Sequence, residues 1–271
     1  TTMPIGEMLF LRGLVSSALI VGYAAAIGAF TDTRKVLTRP VFWRTAADSA
    51  CSVLFFLGLV RISFADASAI GQFIPLMVMA GAAIFLGEAV GWRRWSAAAV
   101  GLLGVLMIIK PGTGAFQTAS LLIVLSMACV AARDLITRRI PLNVPTVLIT
   151  VTAALCVTAT GAVMSLFETW HWPSTGEMGL LATCGCTVLA GYVFIIIATR
   201  HGDTAVVSPF RYTYIGFAML SSLLIFRERP DIWSWCGIAL IVSSGLYMIH
   251  RERVVGRLKS QPTAAALTEA A

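Results

Sequence analysis

Charged side chains are scarce in this chain: Asp, Glu, Lys and Arg make up 12% of its 271 residues, while 58% are hydrophobic and the mean hydropathy is +0.86. A water-soluble globule needs about 25% charged residues to cover its surface, so a solvent of hydrocarbon is implied. Histidine is equally sparse, with three residues (His171, His201, His250), all near the ends of apolar runs, and no His-Glu-x-x-His zinc motif. No Gly-x-x-x-x-Gly-Lys-Ser/Thr phosphate loop occurs, which excludes P-loop ATP hydrolysis by this chain, and no Gly-x-Ser-Gly protease signature is present. No cofactor, metal site or enzymatic activity is expected. The six cysteines lie inside apolar runs and read as buried free thiols.

What is abundant is long apolar sequence. Nine stretches approach the roughly 20 residues that a transmembrane helix requires, at about 8–30, 41–61, 67–87, 93–110, 118–137, 143–167, 178–199, 204–226 and 233–250. None alternates with period two, so an all-α polytopic membrane protein is expected rather than a β-barrel. After His250 the sequence turns basic and then Ala-rich, which reads as a disordered or interfacial tail.

The net charge of +7 forms no continuous basic face, and nucleic acid is not an expected partner. Distributed over the connections, the basic residues give an orientation. Those following odd-numbered spans hold thirteen Lys and Arg, among them Arg34, Lys35, Arg93, Arg138 and Arg251, and the other side holds four (Arg61, Lys110, Arg227, Arg229). The C-terminus is therefore expected in the cytoplasm and residue 1 outside, which with nine spans implies a preceding helix absent from this sequence.

Two segments share an order of features. One runs from Asp66 through Glu88, Trp92, Gly101 and Gly104; the other runs from Asp203 through Glu228, Trp233, Gly237 and Gly245. The helices closed by Glu88 and Glu228 are the third and the eighth, so the two copies cross the bilayer in opposite directions. Inverted repeats of this kind characterise many secondary transporters, whose substrate sites lie near the midplane.

Particular residues then resemble one family. Pro4, Glu7, Phe10 and Arg12 open a helix, Gly87-Glu88 ends another, and Gly101 and Gly104 follow; the run Gly202-Asp203-Thr204-Ala205 precedes Pro209-Phe210-Arg211-Tyr212 and Phe226-Arg227-Glu228. This pattern resembles the EamA-type members of the drug/metabolite transporter superfamily over nearly the whole chain. Arg227 departs from it, since Gly commonly precedes that Glu. The resemblance implies a ten-helix fold of two inverted five-helix repeats with both ends cytoplasmic. Here these would be residues 1–112, lacking the first helix, and 113–252, with a polar cytoplasmic tail at 253–271. It further implies a multi-pass protein of the bacterial inner membrane that moves a small polar metabolite by alternating access. Export of an amino acid or related metabolite is the first expectation; uptake of a vitamin or S-adenosylmethionine-like compound, or a non-transporting scaffold subunit, are the alternatives. Expected partners are the small-molecule substrate, protons, the lipid bilayer and a second copy of the chain.

Ionisable groups inside a membrane are costly, about 2.5–3.5 kcal/mol on insertion scales, and each needs a reason. Arg12 and Arg211 are candidates for holding a substrate carboxylate. Asp48 and Asp134 are candidates for carrying the coupling proton. The competing structural reading has Glu7–Arg12 and Arg44–Asp48 as interfacial pairs and Arg133 snorkelling to headgroups. Pro75 and Pro209 hold near-equivalent places in the two repeats and are read as kinks for gating, with Gln72, Tyr192, Tyr212 and Tyr214 as hydrogen-bonding neighbours of substrate. Glu88 and Glu228 read as structural braces.

Overall fold

The computed structural model describes residues 3–36, 38–110, 118–141, 144–201, 213–227 and 230–260; side chains are not described at 31, 32, 34, 35, 192, 193, 195–201, 215 and 252–260. All regular structure among the described residues is helical. Ten α-helices occur, α1 (Ile5–Ala26), α2 (Arg39–Leu59), α3 (Phe64–Gly71), α4 (Ile74–Phe85), α5 (Trp92–Ile109), α6 (Thr118–Thr137), α7 (Thr146–Ser165), α8 (Thr175–His201), α9 (Thr213–Leu224) and α10 (Ile232–Ser260). A 3-10 helix, Ala29–Val36, fills much of the first basic connection. Among the described residues six stretches are long and apolar enough to cross a membrane: α1, α3 with α4 as one 22-residue span, α5, α6, α7, and α10 as far as Arg251. This is a multi-pass membrane protein. α10 decides between two expectations for the start of the tail, because the helix continues from His250 to Ser260, which disfavours disorder there and leaves the interfacial reading. Arg, Glu, Leu and Lys in that stretch are good helix formers, and a helix can leave hydrocarbon without ending.

The helices fall into two compact units that cut across the sequence halves. Unit 1 comprises Thr1–Ile62 with Gln117–His201, and unit 2 comprises Ser63–Phe116 with Gly202–Ala271. Within unit 1, α1 packs along α7 and α2 along α6, with α8 against α1. Without a hydrophobic force between helices in lipid, close approach depends on small residues. At Gly13 an added Cβ would stand 2.5 Å from Thr158 Oγ1, and at Gly161 it would stand 2.5 Å from the Phe10 backbone nitrogen. Ser17 and Thr158 add a hydroxyl–hydroxyl bond of 2.9 Å to the same seam.

Within unit 2, α5 packs along α10 through a glycine crossing. A Cβ on Gly104 would lie 2.7 Å from the Gly237 carbonyl oxygen, and one on Gly237 2.6 Å from that of Gly104. The end of the pair is clamped by charge. Lys110, in the left-handed region at φ 53° where it caps α5, donates from Nζ to Asp231 Oδ2 at 2.6 Å. Asp231 Oδ1 accepts from Ser234 N at 3.2 Å and from Ser234 Oγ at 2.7 Å, capping α10. The Lys110 hydrogen bond and then the Ser234 bonds hold the Asp231 carboxyl down from 3.8 to about 2. A depressed folded-state value means that the clamp stabilises fully above the ordinary carboxylate range and is lost as pH falls toward 2. Asp231 is 43% exposed, so the effect is small. Tryptophan-monitored melting in detergent between pH 5 and pH 2 is expected to show a steeper acid loss for the parent chain than for Asp231→Asn; parallel curves would remove the clamp from the account.

Candidate functional site

Unit 1 holds a half-buried ion cluster where α2 meets the last turns of α6. Asp48 lies nine residues into α2, about 14 Å along the axis at 1.5 Å per residue, and Arg133 lies four residues before the end of α6. Arg133 Nη1 donates to Asp48 Oδ1 at 2.8 Å, while Nη2 and Nε donate to Asp134 Oδ1 at 2.9 and 3.0 Å. The guanidinium therefore carries two carboxylates, one on its own helix and one across the α2–α6 seam. Arg44 joins the same seam one turn earlier on α2, donating from Nε to Thr137 Oγ1 at 3.1 Å, and Thr137 donates in turn to the Arg133 carbonyl at 2.7 Å. Deeper along it, Cys51 Sγ and Ser126 Oγ are 3.3 Å apart, and Ser126 Oγ donates to the Cys51 carbonyl at 3.0 Å. The sequence offered Arg133 as a headgroup ligand; the fold makes it the centre of an ion triad, because α6 presents it to Asp48.

The start of α1 shows the reverse outcome. Glu7 is fully buried, yet no Glu7–Arg12 ion pair is formed. Its Oε2 accepts the His171 backbone N–H at 2.8 Å, and Glu168 Oε2 accepts the N–H groups of Gly6 at 2.8 Å and Glu7 at 3.3 Å. The first turn of α1 and the segment leaving α7 thus cap each other through two carboxylates, satisfying amides that a helix N-terminus leaves open. Arg12 turns away from this cap. Its guanidinium carbon sits 5.2 Å from the centroid of the Phe56 ring on α2, and its Nε is buried without a hydrogen-bond partner. No carboxylate lies within ion-pair distance of Arg12 among the described residues.

In unit 2 the span Phe64–Phe85 is interrupted by a tight turn at Gln72–Phe73, where both residues keep right-handed helical dihedrals. α3 ends at Gly71 with tight i to i−3 bonds, Gln72 N to Ala69 O and Phe73 N to Ile70 O, both 3.0 Å, and α4 begins at Ile74 with Pro75 in its first turn. Pro75 has no N–H, so the Gly71 carbonyl loses its i+4 donor. Ser68 and Gln72, one turn apart on α3, are buried, and Ser68 Oγ lies 3.5 Å from Tyr214 Oη on α9. The freed Gly71 carbonyl beside buried hydroxyl and amide side chains gives this turn more hydrogen-bonding capacity than an uninterrupted apolar helix would have.

The structure thus joins Asp48 and Asp134 on Arg133, places Arg12 over Phe56, and sets Gln72 beside Pro75 at the turn, with Tyr214 reaching the same face of α3. Glu88 lies exposed in the turn after α4, following Gly87 at φ 68°, with its backbone N–H bonded to Ala82 O at 3.2 Å. Pro209, Arg211, Tyr212 and Glu228 lie outside the described residues, as does the side chain of Tyr192. Sequence reasoning missed Ser68, Ser126 and the Glu168–His171 segment, whose roles depend on partners far away in the chain.

Comparison with known proteins agrees with this architecture. The profile of the EamA-like transporter family matches residues 1–110 and 117–249. A riboflavin transporter of Rhizobium johnstonii is 30% identical over 72% of this chain and 65% of its own length; an S-adenosylmethionine uptake transporter of Rickettsia felis is 27% identical over 72% and 66%. The match therefore spans just under two thirds of these relatives. A pseudopaline exporter of Pseudomonas aeruginosa is 28% identical over 89% of this chain and 84% of its own. One solved crystal structure, 20% identical, is similar in fold with a TM-score of 0.62 over 90% of this chain and 88% of that one. With the family profile matched over residues 1–110 and 117–249 and six membrane-spanning stretches among the described residues, the chain belongs to the EamA-like transporter family.

Proposed function

We propose that this chain is a secondary transporter of a small polar metabolite bearing a carboxylate, an amino acid or a related compound, moved by alternating access in a bacterial inner membrane with its C-terminus in the cytoplasm. The observation that carries the proposal is Arg12. An intramembrane guanidinium left without a carboxylate, its Nε buried and unpaired, is a costly feature that a bound anion would relieve. Arg133, by contrast, is already occupied by two carboxylates. Within unit 2 by itself, Gln72, Tyr214 and Ser68 are neutral groups able to hydrogen-bond a polar solute, and the turn before Pro75 is a candidate hinge. Arg211, Tyr212, Tyr192 and Pro209 are assigned matching roles from sequence.

The seams support an inverted repeat with halves at 1–112 and 113–252. α1 with α7, α3 with α9, and α5 with α10 each join a helix to the one holding the corresponding place in the other half. Export is favoured because the similarity to an exporter covers more of both chains than the similarity to the uptake or riboflavin proteins. Uptake of a vitamin or S-adenosylmethionine-like compound is the second reading, supported by those relatives.

Proteoliposomes given radiolabelled amino acids under an imposed pH gradient test the proposal. Arg12→Ala is expected to weaken apparent substrate affinity about 10- to 100-fold, as loss of a charge-assisted hydrogen bond worth about 1.5–3 kcal/mol predicts, with insertion unchanged. Undiminished affinity in Arg12→Ala would remove the carboxylate from the proposal.

A further inference from the structure

We propose that Asp48 is the site of the coupling proton, and that protonating it unlocks α2 from α6 while Asp134 keeps Arg133 neutralised. The inference rests on the transporter reading above and deepens it. The two carboxylates of the triad are not equivalent. Asp134 is the sequence neighbour of Arg133, and its two hydrogen bonds, from Nε and Nη2, stay within α6. Asp48 takes one bond, from Nη1 at 2.8 Å, and that bond is the ion pair joining the two helices.

Adding a proton to each carboxylate in turn separates their roles. If water delivers a proton to Asp48, the carboxylate becomes a carboxyl and the inter-helix ion pair is lost, while Arg133 keeps Asp134 and is not stranded as an uncompensated buried charge. If the proton went to Asp134, the bridge to Asp48 would persist and the seam would not open. Release of the proton to water on the opposite face restores the carboxylate and re-forms the bridge. At 16% side-chain exposure, Asp48 is open enough for a proton to arrive and buried enough for its charge to matter.

The rest of the seam suits such a device. With Asp48 neutral the seam keeps other contacts, among them Cys51–Ser126, the exposed Arg44–Thr137 bond and the packing of Gly58 on Ile123. The titratable and charged groups around Asp48 are Arg44 and Cys51 on α2 and Cys129, Arg133 and Asp134 on α6, with Arg138 and Arg139 just beyond the end of α6. α7, also packed on α2, contributes only Cys156. Arg44, Asp48, Arg133 and Asp134 balance when Asp48 is ionised; proton loading leaves one net positive charge on the set.

The test uses the full chain with its six cysteines replaced by serine or alanine and spin labels at Ala50→Cys and Ala132→Cys, exposed positions on α2 and α6. Label separation is measured by double electron–electron resonance in nanodiscs at neutral pH and at about pH 4, where an ordinary aspartate begins to take up its proton. Acidification is expected to populate a separation longer by about 2 Å or more, the scale of helix shifts in switching proteins. Asp48→Asn is expected to show that longer separation at both pH values, whereas Asp134→Asn, which leaves Asp48 as the remaining carboxylate on Arg133, is expected to hold the shorter one. A separation indifferent to pH in the parent chain, or a pH response unchanged in Asp48→Asn, overturns the proposal. In proteoliposomes with radiolabelled amino acids as probes, Asp48→Asn should lose accumulation driven by a pH gradient and retain exchange; accumulation equal to the parent overturns the proposal too. If no probe moves but the separation still follows Asp48, the switch stands and the substrate reading fails.

Discussion

Gly161→Ala is expected to cost about 3 kcal/mol and to pry α1 from α7. The added methyl would meet the Phe10 nitrogen at 2.5 Å, the Leu9 carbonyl carbon at 2.8 Å and Phe10 Cα at 2.9 Å. All three are backbone atoms, so no rotamer change relieves the contact and the helices themselves must separate. Overpacking of a well-fitted seam costs about 1–3 kcal/mol, and a collision with backbone belongs at the upper end. The shift would propagate to the cap at the start of α1, where Gly6 and Glu7 donate to Glu168, and to Arg12 over Phe56. Gly22→Ala on the same helix α1 is the control. Nothing lies within 4 Å of its added methyl, so removing a helix-interior glycine there should be neutral or gain up to about 1 kcal/mol. Melting of the purified protein in detergent, followed by tryptophan fluorescence, compares the two. Equal stability of the parent and Gly161→Ala would mean that α1 and α7 do not meet backbone to backbone.

The fold was legible in the sequence where the solvent dictates it. Hydrocarbon demands long apolar runs with internally satisfied backbone, and those runs mark the helices. Helix pairing was not legible, because a glycine that admits a neighbour reads like one that only loosens its own helix. Gly161 and Gly22 are alike in sequence, yet only one of them faces a backbone. The ionisable residues show the same limit. Arg12 and Glu7 look like a pair by proximity, but five residues of α-helix turn about 500°, which leaves their side chains about 140° apart. Glu7 therefore finds His171, and Arg12 finds Phe56. Asp48 and Arg133, 85 positions apart, become neighbours only once α2 and α6 lie side by side. Pro75 carried a readable signal of its own. A missing N–H disrupts a helix wherever it falls, and the structure places a tight turn at Gln72–Phe73, just before Pro75.

Arg133→Ala is expected to destabilise unit 1 by about 3 kcal/mol. Removing one member of a buried ion pair costs about 3–5 kcal/mol because its partner stays buried and uncompensated. Here two carboxylates would be stranded, but Asp48 and Asp134 keep 16% and 31% side-chain exposure, and partial hydration holds the loss near the lower bound. Asp48→Asn in the Arg133→Ala background should then recover about half of it, since the deeper charge is gone while Asp134 can turn toward water. Alone, Asp48→Asn leaves Arg133 its bonds to Asp134 and should cost about 1 kcal/mol, the worth of one hydrogen bond. A double-mutant cycle over these variants, read from denaturant or thermal melts in a single detergent, is expected to give a coupling of about 1–3 kcal/mol between Asp48 and Arg133, typical of residues in one network. Coupling within about 0.3 kcal/mol of zero would mean that the α2–α6 bridge is not formed in the folded protein, whereas coupling of the expected size with normal insertion of every variant identifies the cross-helix ion pair, rather than the neighbouring Asp134, as the bond that ties α2 to α6.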